Sequence, residues 1–201
     1  MGAESGLTFD PVEHRYALNG KPVPNVTSIL DSLGFGDFGR VSPGVMEAAR
    51  ARGEDVHSAC ELLDKGILDW TTVSEEISGY VIAYQKFKHE FNPELLAIEE
   101  RVYHPTYRFA GTLDRVWRIR GDIDLTDIKA GTEQAAHPMQ TAAYRLAWDS
   151  GHPPSLAVKR RHALYLRSSG TFDYRLHNGV SDGAAFLAAL QLFHWRGSNG
   201  S

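Results

Sequence analysis

The chain has 201 residues, enough for one domain with a full core, and carries 21 Lys and Arg against 25 Asp and Glu for a net charge of -4. At 42% hydrophobic and 23% charged residues, the composition is that of an ordinary soluble globular domain. No stretch approaches the roughly twenty apolar residues of a membrane helix, and the opening MGAESGLTFD lacks the basic and apolar regions of a secretion signal.

In chain order, LTFDPVEHRYALNGKPVPNVTSIL alternates around an Asn-Gly turn, which predicts a β-hairpin ending near Val23. Asn25 or Thr27 then caps a short helix to about Leu33, closed by the glycines of GFGDFG. A helix is expected from Ser42, with Pro43 in its first turn and Gly66 as its stop. Val45, Ala48, Ala49, Val56, Ala59, Cys60 and Leu63 form its apolar stripe, and Gly53 marks a kink or a junction. Cys60 is the one cysteine, so no disulfide framework or cysteine-built metal centre is available and a reducing, cytoplasmic compartment is expected. TVSEEISGYVIAYQKFKHEF reads as a second amphipathic helix on Ile77, Val81, Tyr84 and Phe87 or Lys88.

The pattern then changes. ELLAIEERVYHP, YRFAGTLDRVWRI and DIDLTDIKAG read as three consecutive strands. A helix follows from Pro138 to Gly151, then a strand pair around Ser168-Ser169-Gly170, and a closing helix capped by Ser181 with a frayed end. This order predicts an α/β fold: a mixed central sheet flanked by helices, with hairpin and helices over 8–91, sheet core over 95–177 and a C-terminal helix over 181–195.

Charge in the second half is unevenly placed. Arginines 101, 108, 115, 118 and 120 and the run VKRRHALYLR allow a basic groove beneath an acidic average, or equally solvated strand faces. Asp127 and Lys129, two apart on a strand, project to one face with Ile123 and Leu125, while Ile128 points away. Asp114 on the preceding strand can converge on Asp127, and paired carboxylates suit a hard cation such as Mg²⁺ or Mn²⁺. The plainer reading of Asp127 and Lys129 is a surface ion pair worth little. His57, on the first long helix, offers an imidazole nitrogen, and Gln140 and Tyr144 share a helix face just after the Asp127 strand. Gly111 permits close backbone approach beside Asp114 or marks a bulge.

Taken in order, a helical VH, GTLDRV, DIKAGT and QTAAY make a pattern similar to the RecB-like branch of the PD-(D/E)XK nuclease superfamily. The opening resembles phage-type exonucleases, and mitochondrial genome-maintenance exonucleases carry comparable motifs; the match covers about 8–150. The resemblance implies a restriction-endonuclease-like core and a metal held by His57, Asp114, Asp127 and the backbone carbonyl of Ile128. It makes Asp114, Asp127 and Lys129 catalytic, with Gln140 and Tyr144 supporting the site or DNA. A supporting glutamate falls on Glu99 by the motif but on Glu100 by strand alternation, which places Glu100 with Ile98 and Val102. The cysteines that hold an iron–sulfur cluster in some relatives are missing, so none is expected.

The implied activity is a metal-dependent DNA exonuclease acting on single strands or free ends, in phage or host recombination, repair or degradation. Recombination or replication proteins are the implied partners, and no membrane. Two alternatives remain open: a structure-specific endonuclease of the same fold, and a catalytically silent nucleic-acid-binding module. Carboxylates around Lys129 favour its charged form, so it is expected to orient water and steady negative charge rather than act as a base.

Overall fold

Two left-handed residues, Asn19 (φ 50°) and Gly20 (φ 77°), turn the chain between β2 (Arg15–Leu18) and β3 (Lys21–Val23), as a tight two-residue hairpin requires. In the computed structural model, which describes residues 6–34 and 43–199, an additional strand, β1 (Leu7–Asp10), pairs with β2. The expected hairpin is therefore a three-stranded antiparallel sheet. Asn25 starts α1 (Val26–Asp31): its side chain accepts from the Ser28 N–H at 2.8 Å while the Ser28 hydroxyl accepts from the Asn25 N–H. Asn25, not Thr27, is thus the cap. Ser42 and the glycines at 36 and 39 lie outside the described residues.

Helix α2 (Pro43–Asp64) runs through Gly53 without a break. Its burial begins only at Val56; Val45, Ala48 and Ala49, expected in the core, are exposed because no element among the described residues covers the first three turns. A short 3₁₀ turn (Trp70–Thr72) leads to α3 (Glu75–Phe91), which buries Ile77, Val81, Tyr84 and Phe87 as the periodicity predicts. Asn92, in a left-handed conformation, ends it by donating its N–H to the Lys88 carbonyl.

The central sheet is a meander of β4 (Glu94–His104), β5 (Phe109–Ile119) and β6 (Asp122–Lys129), followed by β7 (Arg160–Leu166) and β8 (Phe172–Leu176), in the order β4-β5-β6-β7-β8. All neighbours are antiparallel except β6 and β7. A parallel pair needs a crossover, and α4 (His137–Gly151) supplies it. Helix α5 (Asp182–Asn199) closes the chain and is longer than expected, absorbing the predicted frayed end up to Asn199. Helices α2 and α3 pack on one face of the sheet around Val56, Val81, Phe87, Trp117 and Ile128. Helices α1, α4 and α5 cover the other face around Ile29, Leu113, Leu125, Trp148 and Phe186. This is the expected α/β, restriction-endonuclease-like architecture.

The predicted basic groove is not built from all the arginines proposed for it. Arg115 is fully buried, Arg118 pairs with Glu94 at 3.0 Å, Arg160 with Asp124 at 2.7 Å and Arg161 with Asp182 at 2.8 Å. Their charge is committed within the fold.

His162 on β7 stacks on Tyr174, with ring centroids 4.0 Å apart, and lies beside Asp124. Burial, reinforced by Arg160 and His177, pulls its pKa down to about 4. The neutral ring therefore contributes stability that is complete above the unfolded histidine value near 6.5 and lost as pH falls toward about 4. Urea titrations from pH 7 to pH 4 are expected to show wild type losing up to about 3 kcal/mol more than His162→Gln.

Candidate active site

The geometry begins where two strands part. The ladder between β5 and β6 runs from Ile119 opposite Asp122 to Arg115 opposite Thr126 and stops there. Beyond it, Ile128 presents its N–H and C=O toward the side β5 has left, so both need partners. The Asp114 carboxylate accepts the N–H at 2.6 Å. The carbonyl lies 3.0 Å from Nε2 of His57, on α2.

His57 is thereby fixed as a bridge. With Nε2 on the Ile128 carbonyl, Nδ1 faces Asp114 Oδ1 at 3.7 Å and Glu99 Oε1 at 3.9 Å. His57, Glu99 and Asp114 each offer a ligand atom within 4.8 Å of the others, a cluster able to hold a metal ion. Burial pushes the His57 imidazole down, but the Asp114 and Glu99 charges outweigh it and raise the pKa to about 9. Without a cation, the cluster thus holds a proton in the place where a divalent ion would neutralise the same carboxylates.

Asp127 sits one step away. Its Oδ2 is buried, lies 2.8 Å from Lys129 Nζ, and has no well-aligned hydrogen bond. Burial raises the Asp127 pKa, Lys129 opposes this, and Asp114 adds to it, so the two aspartates feel one another. Lys129 loses from burial but gains more from Asp127 and Asp114, and its pKa is raised. It is held as an ammonium. Its Nζ donates to Gln140 Oε1 at 3.0 Å, and Gln140 Nε2 donates to the Tyr144 hydroxyl at 3.2 Å. The fit to a hard cation is good: carboxylates, a carbonyl, an imidazole and a buried carboxylate oxygen short of a hydrogen bond. The 3.0 Å between His57 Nε2 and the Ile128 carbonyl is also about the spacing of adjacent ligands on an ion that binds each at about 2.1 Å.

Every predicted site residue is thus in one neighbourhood, with one change of emphasis. Glu99, expected as a support, lies directly in the cluster with His57 and Asp114, whereas Asp127 lies against Lys129. Glu100 goes elsewhere, to His152 Nε2 at 3.3 Å. Strand alternation misplaced this glutamate because Glu99 has φ 45°, a left-handed residue inside β4. Such strain persists only when surroundings impose it. Gly111 is glycine for close packing: a Cβ there would meet the Tyr144 ring at 2.6 Å.

What imposes Glu99 was missed by sequence reasoning. Arg115, counted above as surface charge, donates to Glu99 Oε1 at 2.8 Å, to the Asp114 carbonyl at 2.7 Å and to Asp64 Oδ2 at 2.7 Å. Tyr84 and Lys88 complete the shell of Asp64 at 2.6 and 2.7 Å. Two signals were present. Asp64 lies seven residues after His57 on the same helix face, and Tyr84 is a core position whose hydroxyl needs a partner.

The model of the PD-(D/E)XK nuclease superfamily matches residues 42–191. The chain belongs to the PD-(D/E)XK nuclease superfamily. A search of curated proteins finds no match. Membership in this nuclease superfamily points to metal-dependent cleavage of nucleic acid, and Asp127-Ile128-Lys129 spells the end of the motif that names it.

Removing Arg115 takes from the buried Asp64 side chain one of its two cations and from Glu99 its guanidinium partner. Arg115→Met is expected to cost about 3–5 kcal/mol in urea unfolding. The double variant Arg115→Met/Asp64→Asn should recover part of that loss.

Proposed function

We propose that the protein is a Mg²⁺- or Mn²⁺-dependent exonuclease that hydrolyses phosphodiester bonds of DNA at free ends. The observation that carries this reading is the meeting of His57, Glu99 and Asp114 beside the Asp127–Lys129–Gln140 chain. The order of the motifs over Gly111–Val116, Asp127–Thr132 and Gln140–Tyr144 supports the RecB-like branch, in which phage or host DNA recombination, repair or degradation is the setting.

His57 and Asp114, with Glu99, Asp127 or the Ile128 carbonyl completing the set, would hold the ion. A divalent cation bound there polarises a phosphoryl oxygen and acidifies water. Lys129, kept cationic by its two aspartates, donates hydrogen bonds to the attacking water and to the developing negative charge. Gln140 limits where Lys129 can point, because its amide oxygen already accepts one of the three ammonium hydrogens. Tyr144, its pKa raised far above the ordinary value by burial, remains a neutral phenol that anchors Gln140. Nothing in this arrangement asks Lys129 to lose its proton.

Degradation of end-labelled linear and closed circular single strands under Mg²⁺ and Mn²⁺ tests the activity. Loss of linear DNA with circles intact is expected; cleavage of circles would instead favour an endonuclease, and binding without cleavage a silent module. Lys129→Ala should lower turnover by a factor on the order of 10²–10³ while Mn²⁺ affinity, read by calorimetry, stays near wild type. Asp114→Ala should weaken both. Near-wild-type cleavage by Lys129→Ala would contradict its role.

A further inference from the structure

A surface helix of a globular protein turns its apolar stripe inward and its charges outward. Helix α3 does this, exposing Glu76, Gln85, Lys86 and Glu90. Helix α5 does not. It buries Phe186, Ala189 and Leu190 in the core it shares with α1 and α4, yet Ala184, Ala185, Ala188, Leu192 and Trp195 are exposed on its other side. At about 100° per residue, Ala184, Ala188, Leu192 and Trp195 fall within roughly 80° of one another, a single outward stripe. Leu192 is 49% and Trp195 63% exposed, and Val180, in the turn before the helix, is fully so. Scattered apolar residues on a surface need no explanation, but an aligned row ending in a tryptophan does.

Charge and size along the stripe narrow what covers it. Asp182 and Arg196 are the acidic and basic residues of α5, and both are engaged within the chain. Asp182 accepts from Arg161 at 2.8 Å, and Arg196 donates to the Ser32 carbonyl. A stripe without cations neither tracks phosphates nor suits the anionic surface of a membrane. Its side chains are also ordered by size. Ser181, Ala184, Ala185 and Ala188 occupy the first half, Leu192 and Trp195 the second. Laid parallel, two copies of α5 would set Trp195 against Trp195 and hold the alanines apart. Laid antiparallel, Leu192 and Trp195 of one protomer cover the small residues of its partner, and the reverse, about a two-fold axis near Ala188. This is the self-complementarity that an isologous dimer requires. Opposed helix dipoles favour the same orientation.

We propose that the outward face of α5 pairs two copies of this chain, antiparallel and two-fold symmetric about Ala188. The 18 residues of α5 span about 27 Å. Two crossing helices of that length bury on the order of 1,000 Å², the low end for a specific complex, so association is expected at micromolar concentration. Helix α5 contributes no residue to the cluster of His57, Glu99 and Asp114, so pairing is measured apart from cleavage.

Sedimentation velocity of the full chain, from low to high micromolar concentration, reads the assembly directly. Wild type is expected to reach twice the mass of one chain. Ala188→Glu and Trp195→Glu change exposed side chains, so both should keep the wild-type circular dichroism while raising the dissociation constant by at least about tenfold. Copper-catalysed air oxidation then reads the axis. Ala188→Cys should link to itself, Leu192→Cys alone should not, and Leu192→Cys mixed with Ala184→Cys should link, because a disulfide needs closely apposed Cβ atoms. Cys60 is buried and does not compete. A wild type that stays monomeric, a dimer that survives both glutamate variants, or self-linking of Leu192→Cys as fast as Ala188→Cys would overturn the inference. A monomer whose Trp195 fluorescence, taken by difference from Trp195→Phe, resists acrylamide quenching would overturn it too, and would assign the face to another part of the same chain.

Discussion

A single hydrogen bond organises the site: the Ile128 N–H given to the Asp114 carboxylate at the point where β5 and β6 separate. A strand that loses its neighbour leaves buried backbone groups unsatisfied, and each such group carries a free-energy penalty. Here the N–H is answered by a carboxylate and the C=O by an imidazole, both from residues that also reach toward each other. The gap in the sheet is thus the reason that groups from α2, β4, β5 and β6 meet. Ladder continuation by one more pair would have placed backbone where the cluster now sits.

The second constraint is electrostatic. Glu99, Asp114 and Asp127 crowd together, and at Asp127 burial and the neighbouring Asp114 charge oppose ionisation. Arg115 on one side and Lys129 on the other are the cations fixed by the fold, and they serve differently. Arg115 is fully buried and locked to Asp64, so it sets the aim of Glu99. Lys129 is partly open and held by Asp127 and Gln140, so it can meet a substrate. A protonated His57 compensates the cluster in the absence of a cation, and a divalent ion would replace that proton with a larger charge.

Much of this was legible because it is local. Strand-forming runs separated by short turns located β4, β5 and β6, period 3.6 located α3, and Pro138 and Gly151 bounded α4. The i, i+2 relation placed Asp127 and Lys129 on one face, and the i, i+4 relation placed Gln140 beside Tyr144. What escaped depended on distant partners. Arg115 looks like any charged strand residue until Asp64, 51 positions earlier, is known to lie against it. Glu99 defeats alternation because its backbone leaves the strand conformation at that one residue. The early turns of α2 have an apolar pattern that nothing in the described residues covers, so periodicity alone overstated the core there. The Asn-Gly turn alone predicts a two-stranded hairpin, because the preceding turn, Pro11–His14, lacks such a signature.

The central claim is that one cation binds where β5 and β6 part. Anomalous diffraction from a crystal grown with Mn²⁺ tests it most directly. The account predicts a peak within about 2.3 Å of both a His57 ring nitrogen and an Asp114 carboxylate oxygen, with Lys129 Nζ beyond ligand distance. A peak at any other group of acids, or ordered Mn²⁺ that leaves His57 hydrogen-bonded only to protein, would contradict it.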